Sequence, residues 1–354
     1  MRSSFGASAI TVSPTTAFMS SSSMGLVLER TLPHAAAFRL GREDGGMQRS
    51  SPRPEWLDVP APLRAAVEGL LGSRVTGAAS RAGGWSPGTA DVVLLEDGRR
   101  AFVKTASAAV NAVTVDMHRR EAAVLEALAG SGVAPRLLGR VEDDGWIAVA
   151  VEHVDGRHPD PRSPTDTAAV LDAVAALPVP APASVPRAEE TARDALDDGA
   201  ADWTRLLDEG RADAVPGGAA AVRALAALAA PAGDAVAGDG LVHGDLRPDN
   251  VLVRPDGTAL LVDWPNAIEG AAWFDALTYA LDVRRLGGDA DRALAHPVLA
   301  AVDPLAVDAA LAALAGYSVR RSLLPEPVGM AGIRAFQRLQ GGIALDWIAE
   351  RARR

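Results

Sequence analysis

Three side chains between residues 245 and 263 have the types and order that phosphoryl transfer needs. They lie in His243-Gly244-Asp245-Leu246-Arg247-Pro248-Asp249-Asn250 and, after an apolar run, Leu261-Val262-Asp263-Trp264. A carboxylate such as Asp245 can orient an attacking hydroxyl and accept its proton late. Asn250 and Asp263 are hard oxygen donors of the kind that hold the magnesium bridging ATP phosphates. Two apolar runs, 251 to 253 and 259 to 262, flank Asp256-Gly257, a pair suited to a tight hairpin turn. Such a hairpin would bring Asn250 and Asp263 side by side.

A second signal is independent of the first. The chain has 35 Lys and Arg residues, and Lys104 is the sole lysine. It sits in the strand-like run Ala101-Phe102-Val103-Lys104-Thr105. A compact ammonium is what a kinase strand lysine uses to hold ATP phosphates, and the broad arginine fork does not replace it. Upstream lies Gly83-Gly84-Trp85-Ser86-Pro87-Gly88. Backbone N–H groups in such a turn, with the Ser86 hydroxyl, can cradle phosphate oxygens. The same run fits the G-x-S-x-G elbow of serine hydrolases. That reading fails because the residue after the serine is Pro87, which has no N–H for an oxyanion hole.

The elements that must position these residues can be read from period and punctuation. Order begins near Pro54-Glu55-Trp56-Leu57. Residues 61 to 71 carry helical spacing, and strands are expected at about 75 to 82 and 90 to 96. Asp97-Gly98 is a hairpin turn into the Lys104 strand. A helix over 115 to 129 carries Glu121, which can pair with Lys104 or locally with His118, Arg119 or Arg120. Strands near 136 to 141 and 146 to 151 follow, then the connector Glu152-His153-Val154-Asp155-Gly156. The rest is mainly helical, broken by the Pro-rich stretch 176 to 186, with helices near 218 to 230, 271 to 286, 305 to 321 and 329 to 352. Segment 189 to 213 has a large acidic excess, which is either a capture surface for a cationic molecule or a solvated helix face.

The order of glycine turn, strand lysine, helix glutamate, connector, catalytic loop and metal aspartate resembles the aminoglycoside phosphotransferase family, within the protein-kinase-like superfamily. The resemblance covers roughly 75 to 350. Its strongest part is His-Gly-Asp with a following Asn, then Val-Asp-Trp. It implies an α+β, two-lobed protein-kinase-like fold: a small antiparallel-sheet N-lobe with one helix over 51 to 152, and a larger, mainly helical C-lobe over 153 to 354. It implies Asp245 as the catalytic aspartate, and Asn250 and Asp263 as magnesium ligands. Lys104, held by Glu121, would contact ATP phosphates, with Gly83, Gly84, Ser86 and Gly88 over them and connector residues Glu152 and Val154 beside the nucleotide. His243 would be a hydrogen-bonding strut under the loop. Arg247 would approach the transferred phosphate or pair with Asp249. Asp275, in Gly270-Ala271-Ala272-Trp273-Phe274-Asp275, is expected as a helix cap. No long activation segment follows Asp263, and Pro265 restricts the backbone there. A small-molecule acceptor with a hydroxyl is therefore expected, an aminoglycoside or amino sugar first. Choline-like, homoserine-like, fructosamine or macrolide acceptors stay open. The alternative from another class is a catalytically silent nucleotide-binding regulator. The basic C-terminal run Arg351-Ala352-Arg353-Arg354 departs from the acidic and aromatic ends of some relatives.

Bulk properties bound these readings. At 354 residues the length suits about two domains. A net charge of −10 argues against nucleic acid and anionic membrane as partners, and is compatible with a cationic acceptor. Without cysteine there is no disulfide, thiolate metal site or cysteine nucleophile. No stretch reads as the roughly 18 apolar residues of a membrane helix. Residues 1 to 50 lack a periodic apolar pattern and are expected to be a disordered extension, with Met24 or Met47 as alternative starts. A cytoplasmic protein is expected.

Overall fold

Five antiparallel strands form the sheet that carries Lys104, in the order β1-β2-β3-β5-β4. They are β1 (Val75–Ser80), β2 (Gly88–Leu95), β3 (Arg100–Ser107), β4 (Leu137–Asp143) and β5 (Trp146–Glu152). The computed structural model describes residues 55–81, 88–327 and 332–353. Alternation along β3 decides which side chains meet the cleft. Ala101 and Val103 are buried against α1 (Ala61–Leu71), where Leu63, Val67, Val93 and Ala148 complete one core. Phe102 and Lys104 therefore point to the opposite face, the side of α2 (Ala108–Ala127).

Helix α2 starts earlier than its spacing suggests. Asn111 has non-helical φ −160 and ψ 103, so a first turn is joined to the main helix across a kink. The Asn111 side chain then accepts from Thr114 N at 3.1 Å and caps the part that carries Glu121. Val115, Val124 and Leu125 on α2 share a core with Val149 and Val151 of the sheet and Leu261 of the second lobe, so the two lobes meet through one continuous cluster.

The second lobe contains α3 (Pro164–Ala175), α4 (Ala192–Asp208), α5 (Gly218–Ala229), α6 (Ala232–Val236), β6 (Gly240–Val242), β7 (Val251–Val253), β8 (Ala259–Leu261) and β9 (Ile268–Gly270). It ends with α7 (Phe274–Arg285), α8 (Ala290–Leu294), α9 (Pro297–Ala300), α10 (Pro304–Ser322) and α11 (Ile333–Arg351). Buried Leu196, Trp203, Leu311 and Trp347 mark its core. Against expectation, one 19-residue run, Gly218–Val236, contains a window with a mean hydropathy of 1.3. It is not one helix: α5 ends at Ala229 and α6 begins after Pro231. Helix α3 was not expected as a separate element, although Ser163 caps it from Asp166 N and Pro164 opens it.

Candidate active site

The hairpin of β7 and β8 places the two metal-ligand candidates. Val251 pairs with Leu261, and the ladder continues one step as Val262 N donates to Asn250 O at 2.9 Å. Asp263 follows directly, with a left-handed φ of 70 that an aspartate tolerates better than a branched residue. Asn250 ends the short 3₁₀ turn Pro248–Asn250. Its Nδ2 donates to Asp245 O and Asp245 Oδ2, both at 2.9 Å. The amide oxygen is then the atom left to face a cation. With Asp263 this makes a hard oxygen pair, the donor chemistry magnesium takes, so the residues fit the ion that the family resemblance implies.

The loop that carries Asp245 is held from below. Gly244 has φ 77, and a Cβ there would lie 2.3 Å from Asn266 O, so only glycine fits. The His243 ring donates from Nε2 to Val262 O at 3.0 Å, and Nδ1 faces Asp245 N at 3.4 Å. The ring leans on Trp264 with centroids 4.5 Å apart. Burial lowers the His243 pKa to about 4, so the imidazole is neutral at neutral pH. The expected strut role matches this geometry.

Asp275 differs from the helix cap expected of it. Trp273 precedes α7 with helical φ and ψ and no side-chain cap. The Asp275 carboxylate instead accepts from His243 N at 2.6 Å and Gly244 N at 3.1 Å. It caps the catalytic loop rather than its own helix, because two loop amides would otherwise be buried unpaired. Burial raises its pKa to about 6, against the pull of those two donors.

Lys104 closes the site from the first lobe. Its Nζ donates to Glu121 at 2.7 and 3.0 Å and to Asp263 Oδ1 at 2.6 Å. Two of the three local rivals for Glu121 are engaged elsewhere. Arg119 bonds Asp116 and Glu142, Arg120 donates to Ala267 O, and His118 stays 3.9 Å away. Burial alone would lower the lysine's pKa; the Asp263 and Glu121 carboxylates overcome this and raise it. Burial likewise opposes charge on Asp263, but Lys104 holds its carboxyl at about 2.

Arg247 is buried and does two things at once. It grips Asp249 at 3.0 and 2.9 Å and reaches Asp245 Oδ1 at 3.2 Å. Gly88 opens β2 opposite Ala106, and a Cβ there would come within 1.9 Å of Thr105 O, so strand packing accounts for this glycine. Gly83, Gly84 and Ser86 lie outside the described residues. In the connector, Glu152 accepts from Arg136 N at 2.9 Å, and Val154 is half-buried.

Two groups near the site escaped the sequence reading. Phe102 is half-buried on the Lys104 face of β3; its signal was the two-residue offset from the lysine. On α7, Asp275, Thr278 and Asp282 line a cavity together with Asp245, Arg247, Phe274, Leu314 and Tyr317. Their offsets of three and four were a legible helix face. The acidic segment, by contrast, contributes no residue to this cavity.

Together the fold and the cleft define a class, the phosphotransferases of two-lobed, protein-kinase-like architecture. Residues 80–330 match the phosphotransferase enzyme family, and the chain belongs to it. The choline kinase of Streptococcus pneumoniae superposes with a TM-score of 0.54 at 14% identity, covering 82% of this chain and 98% of that one. The macrolide 2'-phosphotransferase of Brachybacterium faecium gives 0.52 at 16%, covering 81% and 98%. A spectinomycin phosphotransferase in complex with ADP and spectinomycin gives 0.51 at 12%, covering 80% and 97%. At such identities the likeness is one of fold. No curated protein matches the chain in sequence.

Proposed function

We propose that this enzyme moves the γ-phosphoryl group of ATP, with magnesium, to a hydroxyl of a small molecule. One observation carries the reading: the sole lysine of the chain bridges Glu121 and Asp263, and the hairpin that carries Asp263 begins beside Asn250, which bonds Asp245. Lys104 binds the nucleotide phosphates, and Glu121 fixes its ammonium in place. Asn250 and Asp263 would hold magnesium, which would supply positive charge against the nucleotide phosphates. Asp245 orients the acceptor hydroxyl and takes its proton at Oδ. Arg247 and Asn250 hold that carboxylate in one orientation, and Arg247 adds positive charge beside the transferred group. Gly83, Gly84, Ser86 and Gly88 cover the phosphates. Phe102 stacks on the base, with connector residues Glu152 and Val154 at its edge.

The complete set of Lys104, Asp245, Asn250 and Asp263 favours an active enzyme over a silent nucleotide-binding regulator. An aminoglycoside or amino sugar is the first acceptor to try. Choline, a macrolide and fructosamine extend the panel, because fold and catalytic loop do not set the acceptor. The test is transfer of labelled γ-phosphate from ATP to this panel, with and without magnesium. ATP binding without transfer to any member would favour the regulator.

A further inference from the structure

Besides Asp245 and the loop-capping Asp275, the cavity holds a third carboxylate that the transfer reaction does not use. Asp282 lines it from α7 and is buried to 3% exposure. Arg285 donates to Asp282 Oδ1 at 2.7 Å. The guanidinium is fixed in turn, 5.3 Å above the Phe336 ring. Among the described residues this is the carboxylate's single hydrogen bond, made at Oδ1, and it leaves Oδ2 to the cavity. The wall also holds Asp245, Arg247 and Asp275, each bonded within the catalytic loop or to it, while Phe274, Leu281, Leu314, Thr278, Ser318 and Gln340 are apolar or neutral. A buried carboxylate oxygen without a donor is costly, and a ligand that supplies one removes the cost.

We propose that Asp282 determines acceptor specificity: its open oxygen accepts a hydrogen bond from a second donor on the acceptor, an amine or a hydroxyl, apart from the hydroxyl that is phosphorylated. This rests on the small-molecule phosphotransfer reading above and narrows it to amino alcohols and polyols. Asp245 engages the reacting hydroxyl, while Asp282 fixes the far end of the molecule. The arrangement spends no flexible side chain, because the Arg285 contact holds the carboxylate in place before the acceptor arrives.

The test compares three alcohols that differ at one position: 3-amino-1-propanol, 1,3-propanediol and 1-propanol. Wild type should use the first two with at least about tenfold higher kcat/KM than 1-propanol, the scale of one hydrogen bond to a charged group. The ratio between the amine and the diol tells which donor is preferred. Asp282→Asn keeps an oxygen for Arg285 but turns an N–H₂ to the cavity, so the preference for 3-amino-1-propanol over 1-propanol should fall to near unity through KM, whereas the diol hydroxyl can still accept from the amide. Because Arg285 is buried, the double variant Asp282→Asn, Arg285→Met guards against loss of folding by removing both partners. Equal use of the three alcohols by wild type, or an undiminished preference for the amine in folded variants, overturns the assignment of Asp282 alone. Failure of wild type to phosphorylate these alcohols and every member of the wider panel overturns the phosphotransfer reading, and this inference falls with it.

Discussion

The catalytic cleft and helix α4 are both dense in charge, and they handle it in opposite ways. On α4 (Ala192–Asp208) four of the five carboxylates are answered by neighbouring side chains outside the cleft. Asp198 and Asp202 bond Arg205 at 2.6 and 2.7 Å, Glu209 meets Arg320 at 2.7 Å, and Asp194 closes a capping box with Thr191. Asp197 faces Arg193 at 3.6 Å. In the cleft, charge is held by a lysine used nowhere else, by an aspartate in left-handed backbone and by a loop that needs glycine at 244. Acidic excess along a sequence is thus a poor guide to function. The better guide is a residue type or a backbone state that ordinary packing does not call for.

Breaking the cleft side of this comparison should give the largest effect. Asp245→Asn should lower transfer by about 10²–10⁴-fold while ATP affinity stays near wild type, because the side chain acts on the acceptor. Steady-state rates together with nucleotide titration check this. Lys104→Arg should cost on the order of 10²-fold in kcat/KM for ATP although charge is kept, since the wide fork cannot sit between Glu121 and Asp263. Asp263→Ala should remove the extra thermal stability that Mg·ATP confers, about 2.7 kcal/mol at a hundred times its Kd. A melting shift that survives this substitution would contradict the metal role.

The loop under Asp245 sharpens the comparison through pH. His243 is held neutral, with a pKa of about 4 against an ordinary 6.5, so its share of stability is lost as pH falls from 6.5 toward 4. Asp275 is raised to about 6 from 3.8, so protonation favours the folded state and its contribution grows as pH falls from 6 toward 3.8. The two oppose each other over most of that window. Asp275→Asn removes the second, and the variant should lose about 3 kcal/mol relative to wild type between pH 7 and pH 4. Denaturant unfolding across that range measures it. The smallest effect belongs to α4. Asp197→Asn and Asp198→Asn should leave the acceptor KM within about twofold, since surface ion pairs are worth little. A large rise in KM would restore α4 as a capture surface.

Much of this was legible because the chemistry lies in contiguous residues. The 243 to 264 run showed its hairpin and its oxygen donors directly, and α1 appeared over the same residues as its spacing. Lys104 stood out by composition alone. What stayed hidden depends on contacts between distant segments. Asp275 reads as a helix cap from its neighbours, and only the fold brings the 243 and 244 amides to it. Asp282 is one more acidic residue on a helix until α10 and α11 close the cavity over it with Leu314 and Gln340. The start of α2 was misplaced because Asn111 acts as a cap inside what spacing alone treats as loop. The partners of the α4 carboxylates come partly from Arg320, more than a hundred positions away. The strands β6 and β9 have three residues each, too few to show a period.

Reaction with a lysine-directed ATP analogue is the most direct test of the central claim, that Lys104 lies on the nucleotide phosphates. The chain has no other side-chain amine, so peptide mapping reads one internal position. Covalent labelling at Lys104 and its suppression by excess Mg·ATP are expected. Labelling of Lys104 at the same rate with and without Mg·ATP would contradict it.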